Sequence, residues 1–463
     1  MIFSSMTFLY YFLPAFLLCY YLVPKKYKKI CLIIFSLIFY AYGDIKYVPL
    51  LIISACLNYF LGKKISGKNH PKLFLVLGLI LNFGLLFYYK YYNFFIENIN
   101  NLTGIHLSFI RVAIPLGLSF YTFQNASYLI DIYTHKIKDA KNLLNYMTYL
   151  LMFPHLAEGP IVRYADIEKN LDNPKQDFTS FSSGVSRFII GLSKKVILAD
   201  TLTYFSKSLA SLNTPSILSY WLKAFNDTFV LYLDFSGYSD MAIGLGLMIG
   251  FKFLENFNYP LASYSITDFW RRWHISLSSW FKDYIYIPLK GSRAKPLRRA
   301  FNILIVWLAT GFWHGASWTF IFWGLYYAII LIIEKKFFQK FLDKHHLIGL
   351  IYTNVIVAIG FVIFNETDLS KAFLFIKNMF SFTSLDFVNL ETLYYLKNYL
   401  IIFVIGIIAS SKFIKNINEK FAENEKLANV VGYIKPIIYI ILLIISTSFI
   451  IDSSSNPFLY FKF

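Results

Sequence analysis

The chain has 463 residues, 57% of them apolar and only 15% charged, with a formal net charge of +18. A soluble protein carries closer to a quarter charged residues, and apolar segments recur from end to end here, which excludes a separate soluble domain. The basic residues gather in short loops between apolar runs, as in cytoplasmic loops of membrane proteins, so the excess charge gives no reason to expect a nucleic-acid partner.

The totals describe an all-α polytopic membrane protein whose surroundings are lipid. Aromatic residues reach 20%. Codon bias toward Phe, Tyr, Ile, Lys and Asn accounts for most of that excess, and interfacial aromatic belts for the remainder.

The opening "MIFSSMTFLYYFLPAFLLCYYLV" lacks a basic start and a small-residue cleavage site, so it is expected to stay as the first span. That span, 7–23, ends at "PKKYKK", which the charge rule places in the cytoplasm, with the N-terminus outside. Apolar runs at 30–42 and 49–61 flank the weakly charged "GDIK" and return the chain to a second basic cluster, "GKKISGKNHPK". A fourth span, 73–89, leads to the outer stretch "NFFIENINNLTGIHLSF". Cys19, Cys31 and Cys56 match neither a disulfide framework nor a zinc site, and read as small core hydrophobes.

The centre is less regular. "VAIPLGLSFYTFQNASYLIDIY" (112–133) is long enough to span, yet carries Gln124, Asn125 and Asp131. "YMTYLLMFPHLAEGPIVRY" is interrupted by Pro154, Gly159 and Pro160, and is expected to be short or re-entrant. "FIIGLSKKVILAD" brings two lysines into an apolar pattern, which points to a helix near an interface. The run 229–249 contains Asp234 and Asp240. Irregular backbone at membrane depth is tolerated only beside protein or a water-filled cavity, so this region reads as a cavity wall. Asp234, Asp240, Gln124 and Asn256 either line that cavity or pair helices, and the second reading carries more weight. Further spans are expected near 348–364, 400–408 and 437–450.

The most polar central segment, "SITDFWRRWHISLSSWFKDYIYIPLKGSRAKPLRR" (265–299), holds eight Lys or Arg against two Asp. The spacing of Trp270, Trp273, Trp280 and Phe281 predicts amphipathic helices along the cytoplasmic surface, aromatics toward lipid.

Of eight histidines, His70, His345 and His346 lie in hydrophilic loops, while His106 and His135 read as interfacial. His155 in "FPHLAEGP" is buried by context, as a cap on a broken helix. His274 and His314 remain. His314 sits inside 300–333, "AFNILIVWLATGFWHGASWTFIFWGLYYAIILII", a run without Asp, Glu, Lys or Arg. An ionisable group in a span is a functional hypothesis by default. The plainer alternative is a neutral imidazole satisfied by Ser317 or a carbonyl. Gly311, Gly315, Ala316 and Ser317 allow close approach of a second backbone or a ligand, and favour a helix break.

The sequence has no HExxH, no Cys-rich site, no Asp pair at magnesium-site spacing and no phosphate loop, so no bound metal or cofactor is expected. A histidine can act as general base on a hydroxyl. Ser276 and Ser317 lack a nucleophile-elbow context, so direct attack of a substrate hydroxyl on an acyl donor fits better than a covalent route. The basic segment around His274 could attract the anionic part of that donor.

"GFWHG" following "DFWRRWHISLSSWFKDYIYIPL" resembles the membrane-bound O-acyltransferases. The match is stronger to the bacterial alginate O-acetylase-like branch, through "FSSMTFLYYFLP", "SLIFYAYGDIKY", "PLGLSFYTFQNASYLIDIY", "FPHLAEGPIVRY", "DFSGYSDMAIGLGLMIGF" and "NPFLYFKF". These motifs cover nearly the whole chain in order. The resemblance implies roughly nine to twelve transmembrane helices plus re-entrant and amphipathic helices around a central funnel. The whole chain, 1–463, would form a single membrane domain, with N-terminal spans at 1–110, a catalytic core at 111–335 and C-terminal spans at 336–463. It implies that His314 is the catalytic histidine and His274 a second histidine at the same funnel. Trp273, Trp313, Ser317, Arg271, Arg272, Asp234 and Gln124 are the candidate substrate contacts. "FPHLAEGPIVRY" has His155 and Glu158 where relatives often have less polar residues; neither is assigned a role.

The implied activity moves an acyl group, usually acetyl, from a cytoplasmic thioester across the bacterial cytoplasmic membrane to hydroxyls of an exported polysaccharide. The donor would be acetyl-CoA or an acyl carrier thioester, and transfer would be direct or through a separate extracytoplasmic acetyltransferase. Rival readings are D-alanyl transfer to teichoic acid, acylation of a protein or lipid, and a transporter with histidine proton relays. A transporter should show internal repeats with paired broken helices, and no repeat is visible.

Overall fold

The computed structural model describes residues 1–67 and 69–452, and the closing "NPFLYFKF" lies outside them. All regular structure among the described residues is helical. They form two compact units: Met1–Phe188 with Met241–Leu254, and Ile189–Asp240 with the chain from Glu255 onward.

In the first unit a π-helical turn, Thr7–Phe12, runs into α1 (Leu13–Leu22). Next come α2 (Lys28–Asp44), α3 (Val48–Ser66), α4 (Pro71–Leu86) and α5 (Tyr92–Thr103). Prolines open α1, α3 and α4 within their first two positions, where the missing N–H is not needed. Cys31 is buried, whereas Cys19 is exposed and not the core residue expected from its neighbours. Buried asparagines hold the helices together. Asn58 and Asn82 exchange hydrogen bonds, Asn125 Nδ2 donates to Asn82 Oδ1 at 3.0 Å, and Tyr146 donates to Asn125 Oδ1 at 2.7 Å. Away from water such side-chain amides act as glue between helices.

The segment 112–133 is helical only from Leu118, as α6 (Leu118–Tyr133). Gly117 precedes it with φ +70, packed so closely on the Leu156 carbonyl that a Cβ would collide. Only glycine takes that backbone without cost, so the helix begins inside the segment and not at its start. "YMTYLLMFPHLAEGPIVRY" is broken as expected. It gives α7 (Leu143–Leu151) and α8 (Phe153–Leu156), followed by buried irregular backbone through 157–162. The helices α9 (Tyr164–Asp172) and α10 (Phe178–Ser193) follow.

In the second unit the π-helical turn Lys194–Ala199 leads to α11 (Asp200–Ala210) and to α12 (Ile217–Met248), whose residues as far as Asp240 belong to this unit. The two lysines of "GLSKKVIL" are both ion-paired. Lys194 pairs with Asp240 at 2.8 Å, and Lys195 with Asp234 at 2.7 Å and Asp200 at 2.9 Å. Lys195 is almost fully buried, and a buried charge survives only when paired.

The rest of the unit is α13 (Ile266–Arg272), α14 (Ile275–Phe281), α15 (Pro296–His314), α16 (Trp318–Ile333), α17 (Gln339–Leu342), α18 (His346–Asn365), α19 (Leu369–Asn378), α20 (Leu390–Ser410), α21 (Phe413–Ala422) and α22 (Glu425–Asp452). The three late spans expected from sequence are α18, α20 and α22. By length and apolar composition, five helical stretches among the described residues suffice to cross a membrane: Lys25–Ser66, Pro71–Thr103 and these three.

The aromatics of 265–299 correct the sequence expectation. Trp273, Trp280 and Phe281 are each about 3% exposed, inside protein and not facing lipid. Trp270 is wedged among Trp307, Trp323 and Tyr327, with ring centroids 4.7, 5.5 and 4.8 Å away. The physical reason is the break at Trp273–His274. It resets the helical phase between α13 and α14, so residues spaced three and seven apart no longer share one outward face.

Candidate active site

The uncharged run 300–333 folds as a hairpin of two antiparallel helices. The first, α15, ends at His314; Gly315 is extended, and α16 begins after Ser317. Gly311 lies against the Phe320 carbonyl and Gly324 against that of Trp307, where any Cβ would collide. Small residues here let two backbones touch, and the contact fixes where α15 must stop. His314 is 5% exposed. Its ring meets Trp313, Trp323 and Phe364 at centroid distances of 5.1, 5.3 and 5.3 Å.

His274 occupies the break between α13 and α14 with φ +45 and ψ +54. That left-handed conformation costs a side-chain-bearing residue about 1–2 kcal/mol. Surrounding contacts hold it: the ring is edge-on to Phe235 at 4.7 Å, and Nδ1 lies 3.1 Å from Asn256 Oδ1. Trp313 joins the two histidines, its ring 6.1 Å from that of His274 and adjacent to His314.

The start of α13 is anchored by the fully buried Glu334, just beyond α16. Its carboxylate accepts from the Ile266 N–H at 2.7 Å, the Thr267 N–H at 2.9 Å and the Thr267 hydroxyl at 2.6 Å. A carboxylate satisfies the otherwise orphaned N–H groups of a first helical turn. The clamp ties the end of the hairpin to the short helix that carries Arg271 and leads into His274.

Both histidines line one cavity of about 460 Å³, walled by Trp270, Trp273 and Trp307 and bordered by Arg271, Lys282 and Lys335. Partial burial, and then the charges of Arg271 and Arg299, hold the Lys335 ammonium below its ordinary pKa. Cations crowded in this way are stabilised when an anion joins them. Among the described residues no group of three or more His, Cys, Asp and Glu side chains is placed to hold a metal ion.

The sequence candidates divide accordingly. His274, His314, Arg271 and Trp273 line the cavity, and Trp313 is buried beside both histidines. Arg272 is committed to Asp268, its Nε 3.0 and 2.9 Å from the two carboxylate oxygens. Ser317 Oγ shares a 2.6 Å hydrogen bond with Thr319 Oγ1. Asp234 is the buried partner of Lys195. Gln124 belongs to the first unit, its Nε2 3.0 Å from His155 Nδ1. Lys282, Lys335, Trp270 and Trp307 were not among the candidates. Lys335 lies just past the uncharged run, after Glu334, and only the folded hairpin brings it to the cavity.

Two imidazoles, three cations and an aromatic wall thus meet in one cavity. The family model for membrane-bound O-acyltransferases matches residues 134–370, which contain every cavity residue named above. The chain belongs to this family, and is an O-acyltransferase of the bacterial cytoplasmic membrane. It is 39% identical over 391 residues to a probable alginate O-acetylase of Azotobacter vinelandii, covering 82% of this chain and 78% of that one. It is 33% identical to the peptidoglycan O-acetyltransferase of Helicobacter pylori, over 100% of this chain and 98% of the other. The teichoic acid D-alanyltransferase of Bacillus subtilis is 30% identical, over 54% of this chain and 68% of its own.

Proposed function

We propose that the protein transfers an acetyl group from a cytoplasmic thioester to hydroxyls of an exported cell-envelope polysaccharide, directly or through an extracytoplasmic acetyltransferase. The observation that carries this reading is the joint placement of His274, His314 and the Arg271–Lys282–Lys335 cations on one cavity. The cations hold the phosphate of the donor, either acetyl-CoA or an acyl carrier's prosthetic arm, and the apolar wall accepts the acyl end. His314, assisted by His274, removes the proton from the acceptor hydroxyl as its oxygen attacks the thioester carbonyl. The carbon–sulfur bond then breaks, and the thiolate leaves with a proton returned from the imidazolium. His314 is the last residue of α15, where the helix carbonyls favour a transient positive charge. The chain needs to carry only a small neutral group across the bilayer.

Two relatives named as O-acetylating enzymes of alginate and of peptidoglycan align over most or all of this chain, which supports a polysaccharide acceptor. D-alanyl transfer is the weaker reading, because the D-alanyltransferase match covers about half of the chain.

The test is transfer of label from acetyl-CoA by purified protein in liposomes, with uronate polysaccharide or peptidoglycan fragments on the far side. Wild type is compared with His314→Ala and His274→Ala, each checked for folding. The reading expects loss of transfer in folded His314→Ala, by about 10³-fold or more for removal of the base and what it orients. Full activity without His314 would overturn the mechanism. Label accepted only from a D-alanyl carrier thioester would replace the donor.

A further inference from the structure

Asn256 is fully buried and grips the His274 segment at two levels. Its backbone carbonyl accepts from the Ile275 N–H at 2.9 Å, and two residues on, the Asn258 N–H donates to the Arg272 carbonyl at 2.9 Å. Its side-chain Oδ1 faces His274 Nδ1 at 3.1 Å, the Ser276 backbone N at 3.2 Å and Ser276 Oγ at 2.9 Å.

The Ser276 contact settles which amide atom is which. A backbone N–H can only donate, so the atom that it meets is the oxygen, and Nδ2 turns to Ser239 Oγ at 3.2 Å. An amide oxygen in hydrogen-bond reach of Nδ1 requires that Nδ1 carry the proton. A neutral imidazole protonated there keeps its lone pair on Nε2.

We infer that Asn256 is a positioning residue that sets the tautomer of His274, making Nε2 the basic nitrogen the ring brings to the cavity. The inference rests on the acyl-transfer reading above and gives His274 a defined part in it. A proton from the acceptor hydroxyl or from His314 is taken on Nε2, and the same proton returns to the departing thiolate. The neutral amide holds Nδ1–H in place throughout without adding a charge that would fix the ring as imidazolium. The sequence hides the pairing, because Asn256 lies 18 residues before His274 in irregular chain.

Nitrogen-15 histidine labelling with carbon–nitrogen correlation tests this in the intact protein in lipid. His274 is assigned by difference against His274→Gln. The wild-type ring is expected to carry its proton on Nδ1 at neutral pH, and in Asn256→Leu that preference is lost. With acetyl transfer as readout, Asn256→Leu lowers kcat by at least ~10-fold and leaves the donor KM within about twofold. The conservative variant Asn256→Asp keeps the acceptor oxygen but adds a charge beside Nδ1–H. That charge favours imidazolium, so the acid limb of the pH–rate profile moves to higher pH by about one unit or more. Phe235 and Trp313 pack on the ring without titrating. The titratable and charged groups sharing its cavity, His314, Arg271, Lys282 and Lys335, are unchanged in these variants.

A proton on Nε2 in the wild type would overturn the inference, as would the same Nδ1 proton persisting in Asn256→Leu. The nitrogen signals report the tautomer whatever the protein acylates. Transfer surviving His314→Ala would therefore fail the general-base mechanism, and absence of transfer from any thioester would fail the acyl-transfer reading, while the assignment of Asn256 stays separately measurable.

Discussion

At the scale of single residues, the clearest consequences concern charged side chains at the cavity and between helices. Lys335 and Arg271 border the cavity together, and on the proposed reading they hold the donor phosphate. Removing either should weaken donor binding more than chemistry. Lys335→Ala and Arg271→Ala are each expected to raise the donor KM about 10-fold, roughly the worth of one charge-assisted contact, with kcat changed less than threefold. Steady-state kinetics at low and high salt checks this, since the wild-type advantage should shrink with ionic strength. Lys195 is a different case. It pairs with two carboxylates, Asp234 and Asp200, and is almost fully buried. Lys195→Met leaves both acids uncompensated, which costs about 3–5 kcal/mol, so the thermal midpoint in detergent should fall sharply. A midpoint unchanged from wild type would mean that the pair is not closed in the folded protein.

At the scale of elements, the hairpin of α15 and α16 decides where His314 sits. Gly311→Val would drive its side chain into the Phe320 carbonyl. Overpacking of this kind costs about 1–3 kcal/mol or more, and here it also moves the end of α15. Loss of both thermal stability and transfer is expected. Gly432→Ala on α22 is the control, because nothing lies within 4 Å of the added methyl. It should be neutral or slightly stabilising, by up to about 1 kcal/mol of helix propensity. The break after His314 was legible beforehand, since glycines and small residues on both sides of a polar group weaken a helix. The inward turn of Trp273 and Trp280 was not. Their spacing had meaning only on a continuous helix, and the left-handed backbone at His274 interrupts it.

At the scale of the whole molecule, the basic clusters predict an orientation that can be measured. In a variant with Cys19, Cys31 and Cys56 replaced, single cysteines at Lys26 and Lys64 should react with an impermeant maleimide only after the cells are opened. A cysteine at Asn101 should react in intact cells. All three positions are exposed, so accessibility reports sidedness and not burial. Equal labelling of the Lys64 and Asn101 positions in intact cells would contradict the alternation of the first spans.

The sequence alone determined the membrane class, the three late spans and the broken centre around Pro154, and it singled out His274 and His314, which line one cavity. All of these depend on composition, on order along the chain or on contrasts within a few helical turns. Tertiary structure alone decided which charges pair and which residues share the cavity. Glu334 reaches Ile266 across 68 residues, and Gln124 meets His155 across 31 in a different compact unit from the two cavity histidines. Helical periodicity repeats every 3.6 residues and so fixes which face a side chain takes on its own helix. It does not say which other helix that face meets. That choice is made by packing, through the glycine contact that closes the hairpin and the buried groups that tolerate burial only with a partner.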